Sequence, residues 1–281
     1  MRILVTGIGG LLGPDVVAAA RARGLEALGL TRNDLDVTNA LAVRAVVHGH
    51  EPDAVVHCAA YSAVDRAESE PAMAMRVNRD GAAHLAEACA SVGAVMVYTS
   101  TDYVFGGPRD RPWGSRERPD PANHYGRTKL EGERAVAESG AEHLVARVSW
   151  LFGPARPTFV DAMLERAGAG ERLRVVRDQF STPTWTRTAA ATLVELLERG
   201  ARGVFHVTDG GGAASRLDFA TEALRIRGLP LDVDGVPTGT FPEPATRAPY
   251  TVLDVSATEA FLGRPMPGWK ATLRRYLEGE G

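Results

Sequence analysis

The opening residues constrain this chain more than any other stretch. "MRILVTGIGGLLGPDVVAAARARGLEALGL" runs a short apolar segment into Gly7, Gly10 and Gly13, spaced G-x-x-G-x-x-G, then into a helix-forming segment and a second apolar run. An apolar run that ends in a glycine turn and opens a helix starts a strand–helix–strand unit. The pattern recurs down the chain. "RILV", "EALGL", "AVVHCA", "AVMVYT", "HLVARVSW" and "GVFHVT" read as strands, while "DVVAAARARG", "ALAVRAVVHG", "AHLAEACASVG" and "KLEGERAVAESG" read as helices closing at or beside a glycine. Alternation of this kind predicts an α/β fold with a doubly wound parallel sheet.

The glycine spacing gives the first chemistry. One glycine permits the tight turn, the next lets a pyrophosphate approach the main chain, and the third lets helix and strand pack closely, with the helix N-terminus facing the phosphates. Pro14 is compatible with a first helical turn. A purely structural turn is the alternative, but the position between a first strand and a helix favours a dinucleotide site and a Rossmann sheet. After Leu151 the strand–helix rhythm breaks and prolines gather at positions 154, 157, 183, 237, 242, 244, 249, 265 and 267. This shift predicts a dinucleotide-binding domain over 1–150, completed by about 186–210, and a smaller C-terminal substrate-binding lobe from 151–185 and 211–281.

The second apolar run ends in "GLTRND", where a dinucleotide fingerprint places an acid for the adenosine ribose. Thr31 and Arg32 stand there instead. An arginine can receive a 2′-phosphate, which favours NADPH over NADH. Asp34 and Asp36 follow closely, so an acid contact to adenosine, and NADH, stay open.

A third feature is "YTSTDYVFGG", in which a buried-looking strand gives way to Thr99, Ser100, Thr101 and Asp102. Strands of a doubly wound sheet deliver their C-terminal ends to the ligand crevice, so these groups should meet nicotinamide and substrate. "NHYGRTKLEGE" places Tyr125 and Lys129 four apart at a helix start, hence on one face. A phenol is a poor acid near neutrality unless a cation favours its phenolate, and Lys129 is positioned to supply that cation. Thr101 is then the third catalytic candidate, its hydroxyl contacting a carbonyl while Tyr125 donates the proton.

Composition narrows the class. A chain of 281 residues with 44% hydrophobic content can bury a large core, and a net charge of −3 argues against a nucleic-acid surface. No apolar run approaches the ~20 residues that span a bilayer. Cys58 and Cys89 form no CxxC pair and the N-terminus carries no signal segment, so a reduced cytoplasm is expected.

Together these segments resemble the extended short-chain dehydrogenase/reductase superfamily, and within it the dTDP-4-dehydrorhamnose reductases. "VTGIGGLLG", "LDVT", "VVHCAAYSAVDRAESEP", "VNRDG", "STDYVFGG", "YGRTKLEGE", "RVSWLFGP", "VVRDQFSTPT" and "RAPYTVLDVS" fall in the family's order along nearly the whole chain. The resemblance implies NAD(P)H-dependent reduction of the 4-keto group of a dTDP-4-keto-6-deoxysugar, with dTDP-4-dehydrorhamnose to dTDP-L-rhamnose foremost. It assigns Tyr125 as proton donor, Lys129 as its modulator and ribose anchor, and Thr101 as the tuning hydroxyl. Gly10, Leu11, Leu12, Asp36, Val37, Ala59, Ala60, Tyr61, Ser62 and Thr99 match cofactor positions. Asp102 and Trp150 match positions facing the sugar nucleotide, with Tyr103 beside them. Magnesium and a homodimer enter through the resemblance alone, and no acidic ligand set is legible.

The chain departs from the pattern at His57, Gly106, His124 and Thr158, none of which removes the catalytic set. Trp150 follows a strand where the chain leaves the sheet, so its indole should line the cleft. Arg247, in "PATRAPY", is the candidate cation for a diphosphate. A dehydratase needs a glutamate where Tyr103 stands. A sugar-nucleotide epimerase, using the same Tyr and Lys with a retained NAD, and a non-catalytic nucleotide-binding regulatory subunit remain as alternatives.

Overall fold

The computed structural model describes residues 1–279. At its centre lies a six-stranded sheet formed by β1 (Arg2–Thr6), β2 (Glu26–Leu30), β3 (Ala54–His57), β4 (Val95–Thr101), β5 (His143–Val148) and an outer strand, Gly203–His206. The spatial order is β2-β1-β3-β4-β5 with Gly203–His206 beyond β5, and every adjacent pair is parallel. Parallel strands cannot be joined by tight turns, so each connection crosses over a face and both faces become buried.

The strand β1 shows how sequence meets that demand. Ile3 and Val5 point into one core with Val16, Ala20, Leu193 and Leu197, while Leu4 points into the other with Val43, Val47, Leu85 and Cys89. The first core is covered by helices Gly13–Ala22 and Thr186–Glu198, the second by helices Ala40–His50 and Gly81–Val92. Each such aliphatic side chain stabilises the fold by roughly 1.5–3 kcal/mol when fully buried. A strand buried on both faces therefore reads as a continuous apolar run.

The strand order reverses between β1 and β3, and ligands in such sheets bind outside the carboxyl ends at the reversal. Gly7 leaves β1 there with φ of 80°. A Cβ on Gly7 would stand 2.4 Å from the Ala59 nitrogen, so both the backbone angle and the close approach of the chain after β3 require glycine.

The smaller lobe packs around Phe152, Trp185, Phe219, Trp269 and Leu273. Its strands are short: Leu151–Phe152 pairs with Thr184–Trp185, and Leu173–Val176 pairs with Val233–Val236. The lobe is tied to the sheet at Asp102, whose carboxylate accepts from the Ser181 hydroxyl at 2.9 Å and the Thr251 hydroxyl at 2.6 Å. A second tie runs from Asn123 Nδ2 to the Thr246 carbonyl at 2.9 Å. No helix among the described residues is long and apolar enough to cross a membrane.

Candidate active site

At the end of β4 hydroxyls replace aliphatic side chains, and each has a different use. Thr99 Oγ1 donates to the His57 carbonyl at 2.8 Å, which ties β4 to β3. Ser100 donates to Glu133, whose carboxylate also takes two bonds from Arg147 at 2.9 and 2.7 Å, a buried network linking β4, β5 and helix His124–Glu138. Thr101 Oγ1 donates to Asp102 Oδ1 at 3.1 Å and lies near enough to the Tyr125 phenol to lower that group's pKa.

Helix His124–Glu138 brings the other two groups. Asn123 caps it, accepting from the Gly126 N–H at 2.8 Å, so Tyr125 sits in the first turn. A Cβ on Gly126 would stand 2.1 Å from the Tyr103 carbonyl oxygen, so only glycine lets this turn lie against the end of β4. Lys129 follows one turn on, buried, with Nζ 4.0 Å from the centre of the Tyr98 ring. Asn78 steadies the opposite wall. It accepts from the Tyr61 N–H at 2.8 Å and donates to the Tyr61 carbonyl and to Thr128, bracing the loop after β3 on this same helix.

Thr101, Tyr125 and Lys129 open into one cavity of about 920 Å³. Gly7, Gly10, Leu11, Leu12, Arg32, Asp36, Val37, Ala59, Ala60, Tyr61, Ser62 and Thr99 line it as well. Gly13 lies behind the wall, where a Cβ would stand 2.7 Å from the Gly7 carbonyl. Sequence reasoning missed Cys58, Arg156 and Pro157 on the lining. The last two come from the proline-rich loop after β5, which carries no motif to announce them.

The cavity meets the demands of a dinucleotide on this chain's own atoms. The glycine turn brings backbone, not side chains, to the wall. Helix Gly13–Ala22 begins at Leu12 with no side-chain cap, so its first N–H groups are left for an anion. At the adenosine end, Asp34 turns back on Thr31 and Asp36 on Thr38, and those bonds hold both carboxyls below the ordinary range. Arg32 reaches the lining beside them.

Electrostatics depart from one expectation. Burial, followed by the nearby Asp102 carboxylate, raises the Tyr125 phenol above its ordinary range, with the Thr101 hydroxyl pulling the other way. Burial brings Lys129 down to about 7, against the opposing pull of Glu133 and Cys58. The desolvated lysine thus does not dominate the phenol. His57 is not an acid–base group here: burial, with Lys129 nearby, lowers it to about 3, and its Nδ1 lies 2.8 Å from the Thr6 hydroxyl. Burial pushes the Cys58 thiol up to about 12.

Of the five residues expected on the substrate side, Thr101 is on that lining and the other four lie outside it. Asp102 is buried and accepts from three hydroxyls, those of Thr101, Ser181 and Thr251, so it pins the lobe instead of presenting a carboxylate; burial raises its pKa. Arg247 makes a two-pronged pair with Asp65, at 3.0 and 2.8 Å, and donates to the Ala245 carbonyl. Tyr103 and Trp150 stay half-exposed, with the Tyr103 ring edge-on to Tyr125 at 5.7 Å. Trp150 adopts φ of 37°, and the Arg216 guanidinium stacks 3.7 Å from the centre of its ring. No motif pointed to Arg216. Gly106 also finds a reason, because a Cβ there would stand 2.4 Å from the Ala122 nitrogen. Among the described residues no group of three or more His, Cys, Asp or Glu is placed to hold a metal ion, so the magnesium expectation has no support.

A doubly wound sheet with a glycine turn at its reversal, and a Thr, Tyr and Lys set on the same cavity, has the architecture of the extended short-chain dehydrogenases/reductases. More narrowly, the chain belongs to the RmlD substrate binding domain family, whose model matches residues 1–280, and within it to the dTDP-4-dehydrorhamnose reductases. It is 40% identical over 279 residues to a dTDP-4-dehydrorhamnose reductase of Streptomyces griseus, covering 97% of this chain and 91% of the relative. A dTDP-4-keto-6-deoxy-D-glucose reductase of Streptomyces niveus is 38% identical over 274 residues, 97% and 95% of the two chains. Among solved structures, dTDP-4-dehydrorhamnose reductase from Bacillus anthracis in complex with NADP superposes with a TM-score of 0.95 at 32% identity, covering 99% of this chain and 98% of the other.

Proposed function

We propose that this chain reduces the 4-keto group of a dTDP-4-keto-6-deoxysugar with NADPH, and that dTDP-4-dehydrorhamnose, giving dTDP-L-rhamnose, is the substrate. The observation that carries the proposal is the single cavity joining the glycine turn to Thr101, Tyr125 and Lys129. The Gly7–Gly13 turn and the N-terminus of the following helix would hold the pyrophosphate, Arg32 a 2′-phosphate, and Lys129 the nicotinamide ribose. Bound NADPH supplies a hydride to the carbonyl carbon.

Tyr125 supplies the proton. Its raised pKa keeps the phenol protonated across the physiological range, the form that can donate to the carbonyl oxygen. The alkoxide formed on reduction is a stronger base than phenolate, so the transfer runs downhill even from a weak acid. Thr101 stands beside the phenol, and turning its one hydroxyl hydrogen from Asp102 to the substrate oxygen would hold phenol and carbonyl in line. Two free cysteines with no disulfide are in keeping with work in the cytoplasm.

A second reading, the D-glucose-configured 4-ketosugar, is favoured by the Streptomyces niveus relative, whose identity to this chain is nearly as high. One experiment separates the readings. Purified protein is given NADPH with each dTDP-4-ketosugar in turn, oxidation is followed at 340 nm, and the product is assigned by NMR. Stoichiometric oxidation with a 4-hydroxy product supports the reductase and identifies the sugar. Sugar isomerisation without net oxidation would favour an epimerase, and no reaction with any ketosugar refutes the proposal.

A further inference from the structure

Four partly exposed side chains form a continuous wall leading away from the proton donor. The Tyr125 ring meets Tyr103 edge-on at 5.7 Å, the Arg216 guanidinium lies near enough to Tyr103 to act on its hydroxyl, and Arg216 lies 3.7 Å over the face of Trp150. Tyr103, Trp150 and Arg216 lie outside the lining of the cavity that holds the glycine turn, on residues that the smaller lobe and the end of β4 supply together. Phe159 extends it, with its ring centre 5.1 Å from the same guanidinium.

A guanidinium carries five N–H donors and here lays its face on an indole. The acid acting on it most directly is Asp102, but that carboxylate already accepts from three hydroxyls. Arg247 is the contrasting case. Its field reaches Arg216 and Tyr103, yet its own donors are taken by Asp65 and the Ala245 carbonyl. Two cations, Arg216 and Arg247, and two carboxylates, Asp102 and Glu243, act on Tyr103; the difference is that Arg247 is held by Asp65, whereas among the described residues no carboxylate is hydrogen-bonded to Arg216. An incoming anion would therefore find the fork of Arg216 the more available of the two.

We propose that Arg216 is the diphosphate-binding cation of the substrate recess, taking phosphate oxygens of the nucleoside diphosphate while its face stays on Trp150. The inference rests on the proposed function and assigns to Arg216 the role that sequence reasoning gave to Arg247. Stacking on the indole presents the guanidinium edge to the recess in a fixed plane, which is what two-pronged recognition of a phosphate needs. Trp150 and Arg216 then act as one unit, apolar surface for the sugar or base and charge for the diphosphate.

The test is calorimetric titration of dTDP and of thymidine, each in the presence of NADPH, into wild type, Arg216→Gln, Arg216→Lys and Arg247→Gln. The expected result is that Arg216→Gln weakens dTDP about ten-fold or more, the loss of one charge-assisted contact, while thymidine and NADPH bind as before. Arg216→Lys should recover part of that loss, and Arg247→Gln should cost dTDP less than Arg216→Gln does. Equal weakening of dTDP and thymidine would mean that Arg216 only props the indole, and unchanged dTDP binding would mean that it makes no contact; either overturns the assignment. Wild-type protein that binds no dTDP at all overturns the reductase reading itself, a separate failure. Wild-type protein alone gives a second measurement, should Arg216→Gln not fold. Phenylglyoxal modification mapped by mass spectrometry should show Arg216 protected by dTDP and not by thymidine, and absence of that protection refutes the proposal.

Discussion

Replacing Lys129 by methionine should stabilise the ligand-free protein while disabling it. Lys129 is buried, and its pKa stands at about 7 against an ordinary 10.5. At ~1.36 kcal/mol per pH unit, that gap means that holding the proton in the folded state costs about 4–5 kcal/mol. Methionine keeps the apolar stem and needs no water. It gives up the contact of the ammonium with the Tyr98 ring, worth ~1–2 kcal/mol where desolvated. The net gain at pH 7 is therefore about 2–4 kcal/mol.

The sign with pH is fixed by the depressed value. Below pH 7 both folded and unfolded lysine carry the proton and the full penalty applies. Between pH 7 and 10.5 the folded protein has released a proton that the unfolded chain still holds, so wild-type stability climbs with pH through that window. The advantage of Lys129→Met should shrink to about 1 kcal/mol by pH 9.5. Urea unfolding of both proteins at pH 7 and 9.5, without nucleotide, measures it. In parallel, NADPH affinity should fall and turnover should drop ~10²-fold or more. A variant less stable than wild type at pH 7, or equally favoured at both pH values, would refute the account of a desolvated, functionally retained lysine.

Further tests follow from the same cavity and from one buried acid outside it. Tyr125→Phe should lower turnover by ~10²-fold or more with NADPH binding intact, and near-normal turnover removes the phenol from the mechanism. Arg32→Ala should weaken NADPH by about 1.5–3 kcal/mol and leave NADH little changed, whereas equal losses show that Arg32 does not read the 2′-phosphate. Asp209 is held up to about 7 by burial, against an ordinary 3.8, although the Thr272 hydroxyl and the Trp185 N–H donate to it. A raised carboxyl contributes stability that is fully present below pH 3.8 and lost as pH rises through 7, so Asp209→Asn should gain on wild type by a few kcal/mol between pH 4 and 7. A difference that stays flat across that range would count against a buried acid with that pKa.

What was legible in the sequence is what local physics enforces. A parallel strand buried on both faces must be an unbroken apolar run, which is why "RILV" and "AVVHCA" stand out. The glycine turn is forced by φ at Gly7 and by the nearness of Ala59, and Tyr125 and Lys129 share a face because a helix repeats every 3.6 residues. The rest depends on meetings across long stretches of chain. Asp102 reads as a ligand group until Ser181 and Thr251, 79 and 149 residues away, supply their hydroxyls. Arg247 reads as an available cation until Asp65, 182 residues back, takes both its prongs. Arg216 has no motif at all, and its chemistry exists only where Trp150 and Tyr103 come to it.

These distant meetings converge on two consecutive residues. Thr101 stands beside the proposed proton donor, Asp102 bonds the smaller lobe, and the Thr101 hydroxyl donates to the Asp102 carboxylate between them. The position of the lobe and the environment of the phenol are therefore coupled through one carboxylate. The Asp102 charge also raises Tyr125, while the lobe's hydroxyls favour that charge by donating to it. The substrate recess proposed at Tyr103, Trp150 and Arg216 would adjoin this joint, Tyr103 being the next residue in the chain. A sugar nucleotide filling it would press on the same elements that hold Ser181 and Thr251 against Asp102. The lobe is thus joined to the residue beside the phenol by one carboxylate, and the hydroxyls that Asp102 gathers explain why it stands at the end of β4 without lining the cavity.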